Sequence, residues 1–457
     1  MKLFEHQAHA VDVARDEARY LFAWDCGSGK TIALLAICRD RPMKTVVVCP
    51  KSIMSSAWLR DARNFPEIRV KILGGLSPAK RDAALAEDWD IGVINFDQFK
   101  IVSRRLLEIG VQRLIVDESS KMKNPESDIT SKLIAFADQM RSVYLLSGTP
   151  APNNVTEYFG QLRAIRPDIV GKMFWKWVYT VATPTRAKVW TKGPNGRPLA
   201  KDVISGWSQT QAQKDTLEKQ LRLCSWAMRK EDALDLPEQV DVLIRFQLDD
   251  EWEAYLGAVS ALRVQLADDT VKIPPDAALM KLRQIAGGYI IDDGRPRQIG
   301  KSKVRELIEV LDSIGREPVV IWAEFRHEID AIAEVCKARG ESVEIIDGRT
   351  SSDAGEIAAR FQEGKTLRLI CQPQAAGHGI TLTAARYAIY YSMGFSYETY
   401  KQSRDRIHRA GQSRKCTYFL LIAEDTVDEA CLGCVRGKGK AADALISILS
   451  GTMNPEE

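Results

Sequence analysis

The chain is 457 residues long, more than one hydrophobic core ordinarily organises, so two or three domains are expected. Its 64 Lys and Arg nearly balance 61 Asp and Glu, leaving a formal charge of +3. Overall charge therefore excludes a uniformly basic coat, and any nucleic-acid surface has to come from local clustering. There is no signal-like start and no apolar run near about 20 residues, which leads us to expect a cytoplasmic protein with no membrane partner. The nine cysteines lie mostly in apolar stretches, as Cys38 and Cys49 do, and read as packed thiols. Cys431 and Cys434 form one CxxC without the second pair or histidine that a zinc site needs.

Tyr20 to Trp24 reads as a short strand and Thr31 to Cys38 as an apolar helix, with the turn DCGSGK between them. Gly27 and Gly29, flanking Ser28, let backbone N–H groups converge on phosphate; Lys30 supplies a cation, and the Thr31 hydroxyl can ligate magnesium. The full GxxxxGKT pattern is not met, because Trp24 stands where its first glycine belongs. Lys44 to Cys49 and Arg113 to Val116 fit strands of a parallel core. The second leads into Asp117 and Glu118, and parallel sheets place ligands at the carboxyl ends of their strands. Asp117 can hold magnesium through water, and Glu118 can orient or deprotonate an attacking water. Ser142 to Leu146, another strand, ends in Ser147, Gly148, Thr149 and Pro150. These small hydroxyl residues can report nucleotide state, although a plain strand exit has the same composition.

From Gly171 to Lys201 there are seven basic residues, Lys172, Lys176, Arg186, Lys188, Lys192, Arg197 and Lys201, and no acidic one. Trp175, Trp177, Tyr179 and Trp190 are interleaved with them, as in an element that contacts a nucleic-acid backbone. A solvated insertion with locally packed rings is the alternative. Thr191 to Pro198 is turn-rich and reads as a hairpin tip. Residues 208 to 231 are polar enough for a surface helix, and the Pro- and Gly-bearing stretch 270 to 300 reads as an interdomain passage.

Strand and helix alternation then restarts. Lys303–Leu311, Ile329–Ala338 and Ala354–Phe361 read as helices; Pro318–Ala323, Val343–Ile346, Leu367–Cys371 and Tyr387–Tyr391 read as strands. Two α/β domains follow from this repetition. Only the first has a phosphate loop. The second has QSRDRIHRAGQ, Gln402 to Gln412, in which Arg406 and Arg409 stand three apart. On a helix that spacing puts both guanidinium groups on one face, where they suit charge developing on a transferring phosphoryl group. A basic helix facing solvent has the same spacing.

Taken together, these segments resemble the superfamily 2 helicase-like motors, specifically the Swi2/Snf2 type of double-stranded DNA translocase. LFEHQ resembles its Q-like motif, FAWDCGSGKT motif I, VVVCPKSI motif Ia, VINFD motif Ic, IVDESSKMKN motif II and LLSGTPAPNN motif III. AMRKEDALDLPEQ is similar to its linking segment, VVIWAEF to motif IV, AAGHGITLTAA to motif V and QSRDRIHRAGQ to motif VI. Because the acidic residue before the glycines is usual there, Trp24 no longer counts against nucleotide binding. Departures are Ser119 and Ser120, in place of the Ala and His of the DEAH box, and Thr381 at a usual Asn position.

The resemblance implies two tandem RecA-like P-loop NTPase lobes with a basic insertion between them. Residues 1–170 would form the first lobe, 171–240 the insertion and linking segment, 241–300 an interlobe helical segment, and 301–457 the second lobe. ATP and Mg2+ are the implied cofactors, held by Gln7 (on adenine), Gly27, Ser28, Gly29, Lys30, Thr31, Asp117 and Glu118, with Arg406 and Arg409 as fingers. Coupling falls to Ser120, Ser147, Gly148, Thr149, Gly379 and Gln402, and DNA contacts to Lys51, Asn95, Lys172, Lys176, Arg186, Lys188, Gly377 and Thr381. The implied activity is ATP-dependent translocation on double-stranded or branched DNA. The partner would be a replication, recombination or repair protein, and the motor a monomer in a bacterial or phage-infected cell. A strand-separating helicase and a nucleotide-gated, non-catalytic DNA-binding module are the alternatives.

Overall fold

The computed structural model describes residues 2–192, 198–233, 235–267, 275–292, 294–350, 354–376 and 380–437. The chain divides into two compact units, 1–234 and 235–457. The first contains β1 (Arg19–Trp24), β2 (Thr45–Cys49), β3 (Val70–Ile72), β4 (Ile91–Asn95), β5 (Arg113–Asp117), β6 (Ser142–Leu146), β7 (Thr183–Lys192), β8 (Pro198–Ser208) and β9 (Ser225–Met228). Seven of these form one sheet in the order β3-β4-β2-β5-β6-β1-β9, and every pairing is parallel.

Side chains alternate across a strand, so the unbroken apolar runs of this sheet serve two cores at once. Val46 and Val48 pack in the core made with Phe99, Leu133 and Leu162. Val47 and Cys49 enter the other, with Ala10, Leu34 and Ile37. The helix Lys30–Asp40 is consequently buried from Ala33 through Cys38. Such a sheet also brings the ends of β1, β5 and β6 to one edge.

Where a surface helix was expected over 208 to 231, the helix Gln211–Arg222 stops and β9 follows. Strand β9 pairs with β1 from Leu21↔Ser225 to Trp24↔Met228. Its Trp226 ring lies 4.9 Å from that of Trp24, so an aromatic contact and the open edge of β1 override the polar composition. The basic segment is an antiparallel hairpin, β7 with β8, irregular between Thr185 and Arg186. Its expected tip, 193–197, lies outside the described residues.

The second unit contains β10 (Gln239–Phe246), β11 (Tyr289–Asp292), β12 (Arg295–Gln298), β13 (Val319–Trp322), β14 (Val343–Ile346), β15 (Arg368–Cys371), β16 (Tyr387–Tyr390) and β17 (Cys416–Ala423). Six form a second parallel sheet, β10-β17-β16-β13-β15-β14. Strand β10 crosses the expected boundary at 240/241, because pairing with β17 from Gln239↔Cys416 to Phe246↔Ala423 satisfies its backbone within this unit. The expected passage over 270 to 300 is replaced, over its described residues, by the helix Pro275–Ala286 and the hairpin β11–β12. Leu279, Leu282 and Ile285 of that helix are in the core of the second unit. Among the described residues no helix is long and apolar enough to cross a membrane.

Two carboxylates anchor this core. Asp428 meets Lys303 at 2.5 Å with both side chains nearly buried. Glu328 is fully buried; its Oε2 accepts from Ser392 Oγ at 2.5 Å and from Phe325 N at 3.2 Å. A Cβ on Gly287 would come within 2.4 Å of Glu328 Oε1, so the glycine makes room for this side chain. Burial pushes the Glu328 carboxyl up to about 7 from 4.5, partly offset by Lys303 and Ser392. A raised carboxyl means the folded state holds the extra proton, so stability falls as pH rises from about 4.5 through about 7. Glu328→Gln should remove that slope, which urea denaturation across this pH range will measure.

Candidate nucleotide-binding site

Strand β1 ends at Trp24, and the turn that follows enters the helix Lys30–Asp40 with Gly27 at φ 82° and Gly29 at φ 80°. Both are left-handed, which glycine adopts without strain. Two residues from the first helix set the peptide planes. His6 Nε2 lies 2.9 Å from the Ser28 carbonyl oxygen, so this nitrogen donates. Gln7 Nε2 donates to the Gly29 carbonyl at 3.2 Å, while its Oε1 accepts from Phe4 N at 3.0 Å. In a trans peptide the C=O and the following N–H point opposite ways. Holding the carbonyls of Ser28 and Gly29 toward His6 and Gln7 therefore turns the N–H groups of Gly29 and Lys30 to the other side, where an anion can receive them.

Lys30 Nζ donates to the carbonyls of Trp24 at 2.8 Å and Asp25 at 3.0 Å, and Ser28 Oγ donates to Asp25 O at 2.8 Å. Thr31 is half-buried in the first turn of the helix. Asp117, the last residue of β5, is 6% exposed. Its Oδ2 accepts from Trp58 Nε1 at 2.9 Å and its Oδ1 from the Glu118 amide at 3.1 Å. Burial pushes the Asp117 carboxyl up, and the charge of Lys30 and the Trp58 bond pull it back. Glu118 takes φ 58°, a left-handed conformation uncommon for a non-glycine residue. The hard oxygens of Thr31 and Asp117 suit Mg2+. Among the described residues no group of three or more His, Cys, Asp or Glu could hold a metal.

In the second unit the helix Tyr397–Arg404 stops before the two arginines. The expectation of one helical face is corrected: Arg406 and Arg409 lie in the turns beyond it. These turns are joined to the segment before β16. Leu382 N donates to Arg406 O at 2.9 Å, and Arg409 Nη1 donates to Ile380 O at 3.3 Å. Gln412 Nε2 reaches the carbonyls of Thr383, Ala385 and Ile407 at 3.1, 2.8 and 3.1 Å, and His408 Nε2 donates to Pro237 O at 2.7 Å. Arg406 is 7% exposed, Arg409 half-buried. Neighbouring Arg404 is committed to Asp241 at 2.5 Å and to the Tyr418 ring at 3.7 Å.

Residues 6–285 match the SNF2-related domain, and residues 302–411 match the helicase conserved C-terminal domain. The chain belongs to the SNF2-related family. It is 24% identical over 451 residues to "Chromodomain-helicase-DNA-binding protein 1-like" of Danio rerio, covering 92% of this chain and 41% of that protein. Over 463 residues it is 22% identical to "ISWI chromatin-remodeling complex ATPase ISW1" of Saccharomyces cerevisiae, covering 92% and 38%. The chain thus spans about two fifths of the length of these relatives. A solved structure, "Sulfolobus solfataricus SWI2/SNF2 ATPase core in complex with dsDNA", is similar at 21% identity and TM-score 0.45, covering 99% of this chain and 94% of that one.

Against that family background, the serines after Glu118 have a specific place. Ser119 Oγ donates to Gln161 Oε1 at 2.8 Å, and Gln161 Nε2 donates to Pro150 O at 2.7 Å, with both side chains fully buried. The bridge from the acidic pair to the Ser147–Pro150 turn thus runs through Ser119 and Gln161; Ser120, expected to couple, is buried beside them. Gln161 had no signal in sequence, standing amid an apolar helix. Ser147 Oγ accepts from Thr149 N at 3.1 Å. A Cβ on Gly148 would lie 3.2 Å from Cys26 Sγ, so this turn rests directly on the phosphate loop.

The remaining expected positions are scattered. Lys51 is exposed after β2, and Asn95 ends β4 with its Oδ1 buried. Lys172, Lys176 and Arg186 are exposed, and Lys188 lies on β7 opposite Asp202. Thr381 is half-buried; Gln402 is buried and donates to Glu398 Oε1 at 3.3 Å. Gly377 and Gly379 lie outside the described residues.

Two outcomes follow from this packing. Gly29→Ala would place a Cβ 2.4 Å from Gln7 Nε2 at a positive φ; binding of a fluorescent ATP analogue should weaken by about tenfold or more through strain of this kind, and pairing it with Gln7→Ala should recover part of the loss. Ser119→Ala strands Gln161 Oε1 and should cost about 1–3 kcal/mol in urea unfolding.

Proposed function

We propose that this chain is an ATP-dependent double-stranded DNA translocase, coupling DNA-stimulated ATP hydrolysis to movement on DNA. The observation that carries the reading is the first unit's loop, whose Ser28 and Gly29 carbonyls are held by His6 and Gln7 so that the N–H groups of Gly29 and Lys30 turn the other way, and beside which Lys30 acts electrostatically on Asp117. In this reading the amides from Gly27 to Thr31 and the Lys30 ammonium bind the phosphates, and Gln7 holds both the loop and adenine. Thr31 and Asp117, together with the phosphates, would hold magnesium, which would supply positive charge against the charge developing on the phosphoryl group. Glu118 orients or deprotonates the attacking water. Arg406 and Arg409 of the second unit supply cations to the transferring phosphoryl group, and Lys51, Asn95 and Thr381 contact a DNA strand. The Ser119–Gln161 bridge relays nucleotide state to the Ser147–Pro150 turn.

Support for DNA as the track comes from family membership and from the exposed cations Lys172, Lys176 and Arg186. Lys30→Ala should abolish hydrolysis; undiminished turnover in a clean preparation would overturn the site. Arg406→Ala should lower kcat by roughly 10³-fold or more while ATP affinity changes only a few-fold, and equal losses of both would make Arg406 structural. Displacement of a third strand from a triplex without release of a labelled duplex strand is the outcome expected of a translocase; release of that strand would instead mark a helicase.

A further inference from the structure

The helix Phe174–Val181 buries Trp177, Val178 and Val181 and leaves Trp175 45% and Tyr179 53% exposed. Large rings left half in water ordinarily serve contact with something. The Trp175 ring lies 6.0 Å from that of Tyr179 at 33° and 6.1 Å from that of Trp207, at the base of the hairpin, at 36°. This cluster is rooted in the core through Phe174, 5.2 Å from Trp175 on one side and 5.2 Å from Phe159 on the other. It is therefore a rigid platform, and little rotamer entropy is left to lose on binding.

Charge selects the occupant. Lys172, just before the ring-bearing helix, Lys176 within it and Arg186 on β7 are exposed, and no acidic residue occurs from Gly171 to Lys201. A groove of about 600 Å³ runs along the same helix past Lys172, Lys176 and Thr180; Asp168, at its rim, is paired with Arg166 at 2.7 Å. Exposed ring faces on a helix whose adjoining groove includes Lys172 and Lys176 match a polymer of bases and phosphates. In a duplex the base faces are already stacked on one another, so only an unpaired strand can offer them.

We propose that Trp175, Tyr179 and Trp207 form a stacking platform for the bases of a single DNA strand, whose phosphates are held by Lys172, Lys176 and Arg186. This deepens the DNA-translocase reading and rests on it: the platform would recognise the unpaired arm of a forked or frayed duplex. The rings are too close for a base to enter between them, so bases stack on their exposed faces.

The test measures binding of the full chain to three probes by fluorescence anisotropy: an oligo(dT) strand, the same strand with abasic sites replacing most thymidines, and a blunt duplex. The wild type should prefer oligo(dT) over the abasic strand, which has equal charge. Trp175→Ala with Tyr179→Ala should lower oligo(dT) affinity by about tenfold per ring lost, leave abasic-strand and duplex affinity nearly unchanged, and leave the melting temperature in place. Trp175→Phe with Tyr179→Phe should restore oligo(dT) binding. Lys172→Ala with Lys176→Ala should weaken oligo(dT) and abasic-strand binding alike and reduce the salt dependence of both. Unchanged oligo(dT) affinity in the double alanine variant, or an equal loss on the duplex, overturns the platform while leaving DNA binding by the chain intact. Failure of the wild type to bind any of the three probes overturns the DNA reading itself, and the platform with it.

Discussion

The parallel register of β1 with β6, and of β6 with β5, is the constraint on which the first unit's chemistry depends. It brings the ends of three strands to one edge of the sheet, so the phosphate loop, Asp117 and the Ser147–Pro150 turn become neighbours although far apart in sequence. Gly148 packs against Cys26, and Lys30 acts electrostatically on Asp117. Neither contact would survive a one-residue slip, because such a slip moves every side chain of a strand to the opposite core.

The phosphate loop also depends on the helix Glu5–Asp16. Glycines permit its backbone turn but do not select it; His6 and Gln7 do so by occupying consecutive carbonyls. The second unit uses the same device around its arginines, where Gln412 joins three carbonyls from two segments. Buried amides with partners on both sides organise these irregular segments because an unsatisfied polar group there costs more than the bond gains. The buried pair Lys303–Asp428 shows the same dependence of the second core on matched polar groups.

Much of the fold was legible, for a physical reason. Runs such as Thr45–Cys49 and Ser142–Leu146 are apolar on both alternating faces, which only a doubly covered sheet accommodates. The misreadings occurred where partners outweighed composition. Strand β9 lies in a stretch polar enough for a surface helix, but β1 offered it an open edge and Trp24 an aromatic contact. The helix Pro275–Ala286 reads as a passage in sequence because its Pro and Gly neighbours mask an apolar stripe through Leu279, Leu282 and Ile285. Arg406 and Arg409 fall in turns, since a three-residue spacing alone does not distinguish a helix from successive turns.

The chemical inventory was legible without any contact: a glycine-bearing loop with Lys30 and Thr31, an acidic pair after an apolar strand, two arginines in the other half, and a basic aromatic insertion. These are local matters of residue type and spacing, which survive without knowledge of contacts. Only the tertiary structure decided which groups hold that inventory in place. Trp58 and Gln161 carry no motif of their own, and their roles arise from hydrogen bonds to partners 59 and 42 residues away. Such pairings depend on how sheets and helices pack.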